Sequence, residues 1–152
     1  MNRKRLSWVL LILLLLNLAF IWCNSLLPAE VSGGISTKVK EWLLKLISGQ
    51  EDADVTGDHQ LRKWAHFLEF CCLGMLLCRL AQLRGSLTFR KLLYCWIGGV
   101  LAACADEVIQ RFVPGRGPAL IDVGIDTLGL TLGIGIISLV YCVKQRKQFG
   151  GK

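Results

Sequence analysis

Charged side chains are scarce in this sequence, and their scarcity excludes an ordinary soluble domain. Of the 152 residues, 19% are charged and 53% are hydrophobic. A soluble domain usually carries about 25% charged residues to cover its surface. The apolar residues are also clustered, and a helix that crosses a hydrocarbon core needs about 20 of them in succession. The composition therefore predicts an integral membrane protein.

Several motifs with well-defined chemistry are missing from the chain. It has no Gly-rich phosphate loop, no zinc-protease signature and no convincing Ser-His-Asp order. Seven cysteines are present, but Cys71 and Cys72 are adjacent, which is not a zinc spacing, and no second pair complements them. We therefore predict no metal–thiolate site, assign no metal ligand, leave any cofactor unidentified, and expect the cysteines to be small buried hydrophobes.

Four apolar stretches are long enough to cross a membrane. They run over residues 7–27, 64–82, 92–112 and 121–143. Basic residues before the first stretch also fit a cleavable signal peptide, but its length and the lack of a small-x-small site favour an uncleaved helix. The last stretch contains Gly129 and Gly133, whose spacing permits close helix approach. The sequence predicts a single all-α domain over residues 1–152 with four transmembrane helices.

The distribution of charge predicts how the helices are oriented. Lys and Arg occupy the N-terminus, the connection between spans two and three, and the tail, and none of these segments contains an acid. Because Lys and Arg near spans remain in the cytoplasm, we predict a multi-pass protein of the cell membrane with both termini cytoplasmic. The net charge of +7 then reflects topology, and no nucleic-acid partner is expected.

The loop between the first two spans contains an amphipathic pattern that Gly49 is suited to end. Its apolar positions are Val39, Trp42, Leu43, Leu46 and Ile47. The pattern predicts a short helix that either lies on the outer membrane surface or packs across the mouth of the bundle. The acidic stretch 50–58, together with His59, is predicted to be a linker.

Polar residues gather at one level of the predicted bundle, where spans two and four begin and span three ends. Charges inside a span are costly, so such residues are functional candidates. The candidates for acid–base catalysis or cation binding are His66, Glu69, Asp106 and Glu107. The candidates for binding or orienting an anion such as phosphate are Arg62, Lys63, Gln110, Arg111, Arg116, Asp122 and Asp126.

At these residues the chain resembles the VanZ-like family, small bacterial membrane proteins related to a teicoplanin resistance factor. The resemblance rests on three ordered blocks, residues 62–74, 106–116 and 122–129. It implies a four- or five-helix protein of the cell envelope that serves lipid or wall metabolism. The second span is more similar to His- and Glu-containing members than to the resistance factor itself.

Two functions fit the pattern. In the first, the chain is a lipid-phosphate hydrolase or transferase, or a binding protein, for membrane lipids or a lipid-linked wall precursor, with an effect on teicoplanin susceptibility. In the second, it is a non-catalytic scaffold whose charges form ion pairs, such as Glu69 with Arg62 and Asp122 with Arg116. A transporter is disfavoured because the cytoplasmic halves of the spans lack polar residues. A homo-oligomer through Gly129 and Gly133 is left open.

Overall fold

Five helices make up the part of the protein that the structure describes. The computed structural model describes residues 2–48, 58–117 and 119–149, and in these ranges it contains helices and turns but no strand. The helices are α1 (Arg3–Ser25), α2 (Ala29–Ser48), α3 (Asp58–Leu83), α4 (Phe89–Gln110) and α5 (Leu120–Phe149). Four of them are long and apolar enough to cross a membrane, over Arg3–Ser25, Gln60–Leu83, Phe89–Gln110 and Leu120–Lys147. The predicted all-α architecture with four spans is confirmed.

The largest helix–helix interface joins α3 to α5. Glycines permit it, because backbone from one helix occupies the space that a side chain would need on the other. A Cβ on Gly129 would meet the Phe67 carbonyl oxygen, and one on Gly133 would meet that of Cys71. Both glycines thus pack against α3 of the same chain, so a homo-oligomer would have to use another surface.

The core is small, and much of the apolar surface faces outward. Ile21, Phe70 and Leu130 are among the fully buried side chains, while large residues such as Leu16 and Leu139 are exposed. Exposed apolar surface of this extent is expected where hydrocarbon, not water, is the solvent. The cysteines follow the same division. Cys71, Cys78 and Cys95 are buried as predicted, but Cys23, Cys72, Cys104 and Cys142 lie on the outer surface of the bundle.

Helix α2 is longer than the predicted amphipathic segment and begins directly after Pro28. Its contacts with the bundle are mainly with α3. Val39, Trp42 and Leu46 on its predicted apolar face are exposed, which is the arrangement expected of a helix on a membrane surface. Asp58 and His59 were predicted to be linker but begin α3. Gly49 and the acidic stretch 50–57 lie outside the described residues.

The order of the helices gives the bundle two different ends. At one end α1 and α4 finish and α3 and α5 begin, and we call this the polar end. The opposite end carries the basic N-terminus, the α3–α4 connection and the basic last turn of α5. All three blocks of polar residues identified in the sequence therefore lie at the polar end.

Candidate functional site

The polar end is held together by hydrogen bonds between helices. Asn24 of α1 donates its side-chain amide to Glu69 Oε1 of α3 at 3.2 Å. Gln110 of α4 donates through Nε2 to Ser25 Oγ of α1 at 3.3 Å and to Asp106 Oδ2 at 2.7 Å. These bonds fix the ends of α1 and α4 against the first half of α3.

A histidine and two aspartates form the buried centre of this end. His66, Asp106 and Asp126 come from α3, α4 and α5, and we call them the buried trio. Their exposed fractions are 8%, 0% and 2%. The His66 Nδ1 atom lies 4.0 Å from Asp106 Oδ2 and 3.6 Å from Glu69 Oε2, too far for a hydrogen bond. Neither nitrogen of His66 has a hydrogen-bond partner among the described residues.

Glu107 connects the end of α4 to the start of α5. Its Oε2 accepts a hydrogen bond from the Ala119 backbone N–H at 3.0 Å, while its Oε1 is buried with no hydrogen-bond partner in the described ranges. One carboxylate oxygen therefore has a structural contact, and the other is available for chemistry or binding.

The turn between α4 and α5 brings a cation back toward α1. The Gly115 φ angle is 75°, a conformation that favours glycine, and the Arg116 backbone N–H donates to the Val113 carbonyl at 3.2 Å. Arg116 is buried, and its Nη2 donates to the Asn24 carbonyl oxygen at 3.0 Å. Burial and nearby Arg62 lower the pKa of Arg116, against the opposing influence of Asp106 and Glu107.

A small cavity opens among these groups. It has a volume of about 20 Å³ and is lined by Arg62, Lys63, His66, Glu107, Gln110, Asp122, Ile125 and Asp126. That is space for a water molecule or a single ion. Lys63 Nζ lies 3.0 Å from Asp122 Oδ1 at its edge.

An apolar groove of about 360 Å³ lies beside the cavity, between α3 and α5. It is lined by Gln60, Lys63, Trp64, Phe67, Ile125 and Leu128. The rings of Trp64 and Phe67 pack edge to face with centroids 5.8 Å apart. Lys63 and Ile125 line both spaces, so the groove and the polar cavity are adjacent.

The structure brings together ten of the eleven residues proposed from the sequence. The exception is Arg111, which is exposed at the end of α4 and does not line the cavity. The expected pairings also differ, since Asp122 lies against Lys63 and Glu69 accepts from Asn24. Asn24 and Ser25 were missed, although two adjacent polar residues at the end of an apolar run could have indicated their position.

These observations define a multi-pass helical membrane protein with a buried ionisable cluster at one end of its bundle. The chain belongs to the VanZ/LLP1 family, whose family model matches residues 8–141. That match covers the second and third membrane-length helices completely and most of the first and fourth, and it includes every residue of the candidate site. No match was found among curated proteins or among solved structures.

Proposed function

We propose that the polar end binds the phosphorylated headgroup of a membrane lipid or lipid-linked wall precursor. In this proposal it faces the outer leaflet of a bacterial cell membrane, since the basic segments at the opposite end favour the cytoplasm. The observation that carries the proposal is the shared wall between the polar cavity and the apolar groove, formed by Lys63 and Ile125. A lipid phosphate requires this combination, with a cation at the headgroup and apolar surface for the chain.

The size of the cavity sets where a phosphate would lie. A space of about 20 Å³ admits one water or ion but not a phosphate group. The headgroup would therefore lie over the mouth of the cavity, within reach of Arg62 and Lys63. Arginine suits this position because its planar guanidinium contacts two phosphate oxygens at once.

Glu107 and His66 are the groups best placed for acid–base chemistry in this proposal. Both line the cavity, and each has at least one polar atom without a hydrogen-bond partner among the described residues. A hydrolase or transferase would use such a pair to move a proton to or from a reacting oxygen. Asp106 and Glu69, which flank His66, would orient it or share its charge.

The proposal is tested by replacing Glu107 with glutamine. The glutamine side chain would keep the volume and an oxygen that can accept from Ala119 N–H, so insertion and folding should survive. Total lipids and lipid-linked wall intermediates are measured by mass spectrometry in cells lacking the protein, complemented with wild type or with Glu107→Gln. We expect one phosphorylated species to accumulate in the deletion strain and to be cleared by wild type only.

Matched immunoblots of membrane fractions control for the amount of inserted protein. Clearance by Glu107→Gln equal to that of wild type would contradict a catalytic role for Glu107. Identical lipid profiles in all strains would contradict turnover altogether. If the cleared lipid is a wall precursor, teicoplanin susceptibility should change with it.

A second candidate function is a non-catalytic scaffold. It is favoured by the internal contacts of several charges, such as Lys63 with Asp122 and Arg116 with the Asn24 carbonyl. If the charges only hold helices together, each must have an opposite partner, but it does not matter which helix carries the positive member of the pair. The two candidates therefore differ in whether function survives an exchange of charge between Lys63 and Asp122.

A further inference from the structure

The buried trio has the donor atoms and spacing of an ion-binding site. His66 offers a ring nitrogen and Asp106 and Asp126 each offer a carboxylate oxygen, and these three atoms all lie within 4.8 Å of one another. Metal–ligand bonds of about 2.0–2.6 Å place opposite ligands about 4–5 Å apart. One ion could therefore contact all three side chains without a large movement of the helices that carry them.

Buried atoms without a hydrogen-bond partner in the described part of the chain lie on two of these three side chains. Both nitrogens of His66 and the Oδ1 atom of Asp106 are buried without a hydrogen-bond partner among the described residues. Buried polar atoms are nearly always partnered, so each of these calls for a ligand. Gln110 donates to Asp106 Oδ2 at 2.7 Å, and Oδ2 is the oxygen that lies 4.0 Å from His66 Nδ1. Hydrogen bonds of this kind commonly orient the carboxylates that bind metal ions.

The charge balance at the polar end also favours a divalent cation. The buried or half-buried ionisable groups described around the trio are the acids Glu69, Asp106, Glu107, Asp122 and Asp126 and the cations Arg62, Lys63 and Arg116. When all are ionised, the acids exceed these cations by two charges. Uncompensated charge is expensive away from water, and a divalent ion would neutralise the excess.

We propose that His66, Asp106 and Asp126 bind one first-row divalent transition-metal ion, such as Mn²⁺ or Zn²⁺. The imidazole distinguishes the set from the all-oxygen sites that Mg²⁺ and Ca²⁺ prefer. The cavity that borders His66 and Asp126 has room for a water molecule on the ion. The metal site stands on these three residues and does not depend on the lipid proposal. With the ion bound, His66 would be a ligand, and Glu107 would be the remaining acid–base group of the lipid proposal.

The test is Mn²⁺ titration of the full-length protein in detergent, after removal of bound metal with a chelator. Free Mn²⁺ is followed by electron paramagnetic resonance in the presence of excess Mg²⁺, which suppresses weak all-oxygen sites. We expect one Mn²⁺ per chain and displacement of that ion by Zn²⁺, which lies higher in the affinity order of divalent metals.

Three variants distinguish binding at this site from unspecific Mn²⁺ binding by the carboxylates of the polar end. Asp126→Asn replaces an anionic oxygen with a neutral one, and His66→Gln replaces the imidazole nitrogen with an amide. Each should weaken Mn²⁺ binding at least about tenfold, the loss already seen when an outer-shell partner is removed. Asp122→Asn makes the same chemical change at the edge of the same cavity and should still bind one Mn²⁺ per chain. Size-exclusion profiles identify any variant that does not fold.

Three outcomes would overturn the metal site. They are no saturable Mn²⁺ binding to wild type, unchanged binding in folded Asp126→Asn and His66→Gln, or loss in Asp122→Asn equal to theirs. No lipid is present in the titration, so these results are independent of the lipid proposal. A metal-binding protein with no effect on cellular lipids would contradict lipid turnover and leave the metal site intact.

Discussion

Gln110 and Asn24 show how single amide side chains organise the polar end. The Gln110 amide nitrogen contacts both Ser25 and Asp106, which joins α1 to α4 and orients one oxygen of a fully buried acid. Asn24 donates its side chain to Glu69 and offers its carbonyl to Arg116. Hydrogen bonds to charged groups contribute about 1.5–3 kcal/mol each, enough to hold these acids in fixed positions.

Exchanging the two charges, Lys63→Asp with Asp122→Lys, distinguishes a lipid-binding role of Lys63 from a purely structural one. Each single change replaces the 3.0 Å ion pair with two like charges. The pair is half-buried, so each single variant should lose roughly 1 kcal/mol of folding stability. The double variant restores an ion pair but moves the cation from α3 to α5. We expect it to recover the thermal stability of wild type in detergent but not the clearance of the phosphorylated lipid.

Stability and lipid profile are read on the same three variants. Recovery of both stability and lipid clearance in the double variant would show that the charge pair is structural, and it would contradict lipid binding by Lys63. Failure to recover stability would contradict a direct interaction between the two side chains, which the coupling in the double-mutant cycle measures.

Helices α3 and α5 carry the site because their backbones approach closely. Gly74 on α3 and Gly129 and Gly133 on α5 each face backbone of the other helix, with no space for a methyl group. This contact sets the separation between His66 on α3 and Asp126 on α5. In a membrane, where lipid removes the hydrophobic force between helices, such small-residue packing is a main source of association.

Gly133→Ala is therefore expected to destabilise the bundle, and Gly135→Ala is its matched control. The new methyl group at residue 133 would collide with the Cys71 carbonyl and force α3 and α5 apart, at a cost of about 1–3 kcal/mol. A Cβ at Gly135 would meet nothing within 4 Å, so the same substitution two residues away should lower stability little or not at all. Thermal melting in detergent compares the two, and equal melting temperatures would contradict the close contact.

Across the whole molecule, the sequence predicts the elements better than it predicts their contacts. The length of an apolar run can be read directly from the sequence, which is why all four spans were found near their observed positions. Depth in the membrane follows from span order, so the set of residues at the polar end was also predictable. The pairs that these residues form were not predictable, because the sequence does not fix the path of the chain after Gln110, and so Asp122 could reach either Lys63 or Arg116. Arg111 was assigned to a span although α4 ends at Gln110.

The placement of the polar end at the outer leaflet depends on the orientation of the whole bundle. Arg3, Lys4 and Arg5 form the first turn of α1, and Arg146 and Lys147 lie in the last turn of α5, so both ends of the chain should remain cytoplasmic. We expect an epitope tag at the C-terminus to be protected from protease in intact cells and a tag between residues 52 and 53 to be cleaved. Permeabilised cells, in which both tags should be cleaved, provide the control. The reverse pattern would place the buried trio and its cavity at the cytoplasmic leaflet, where a wall precursor that has already crossed the membrane could not reach them.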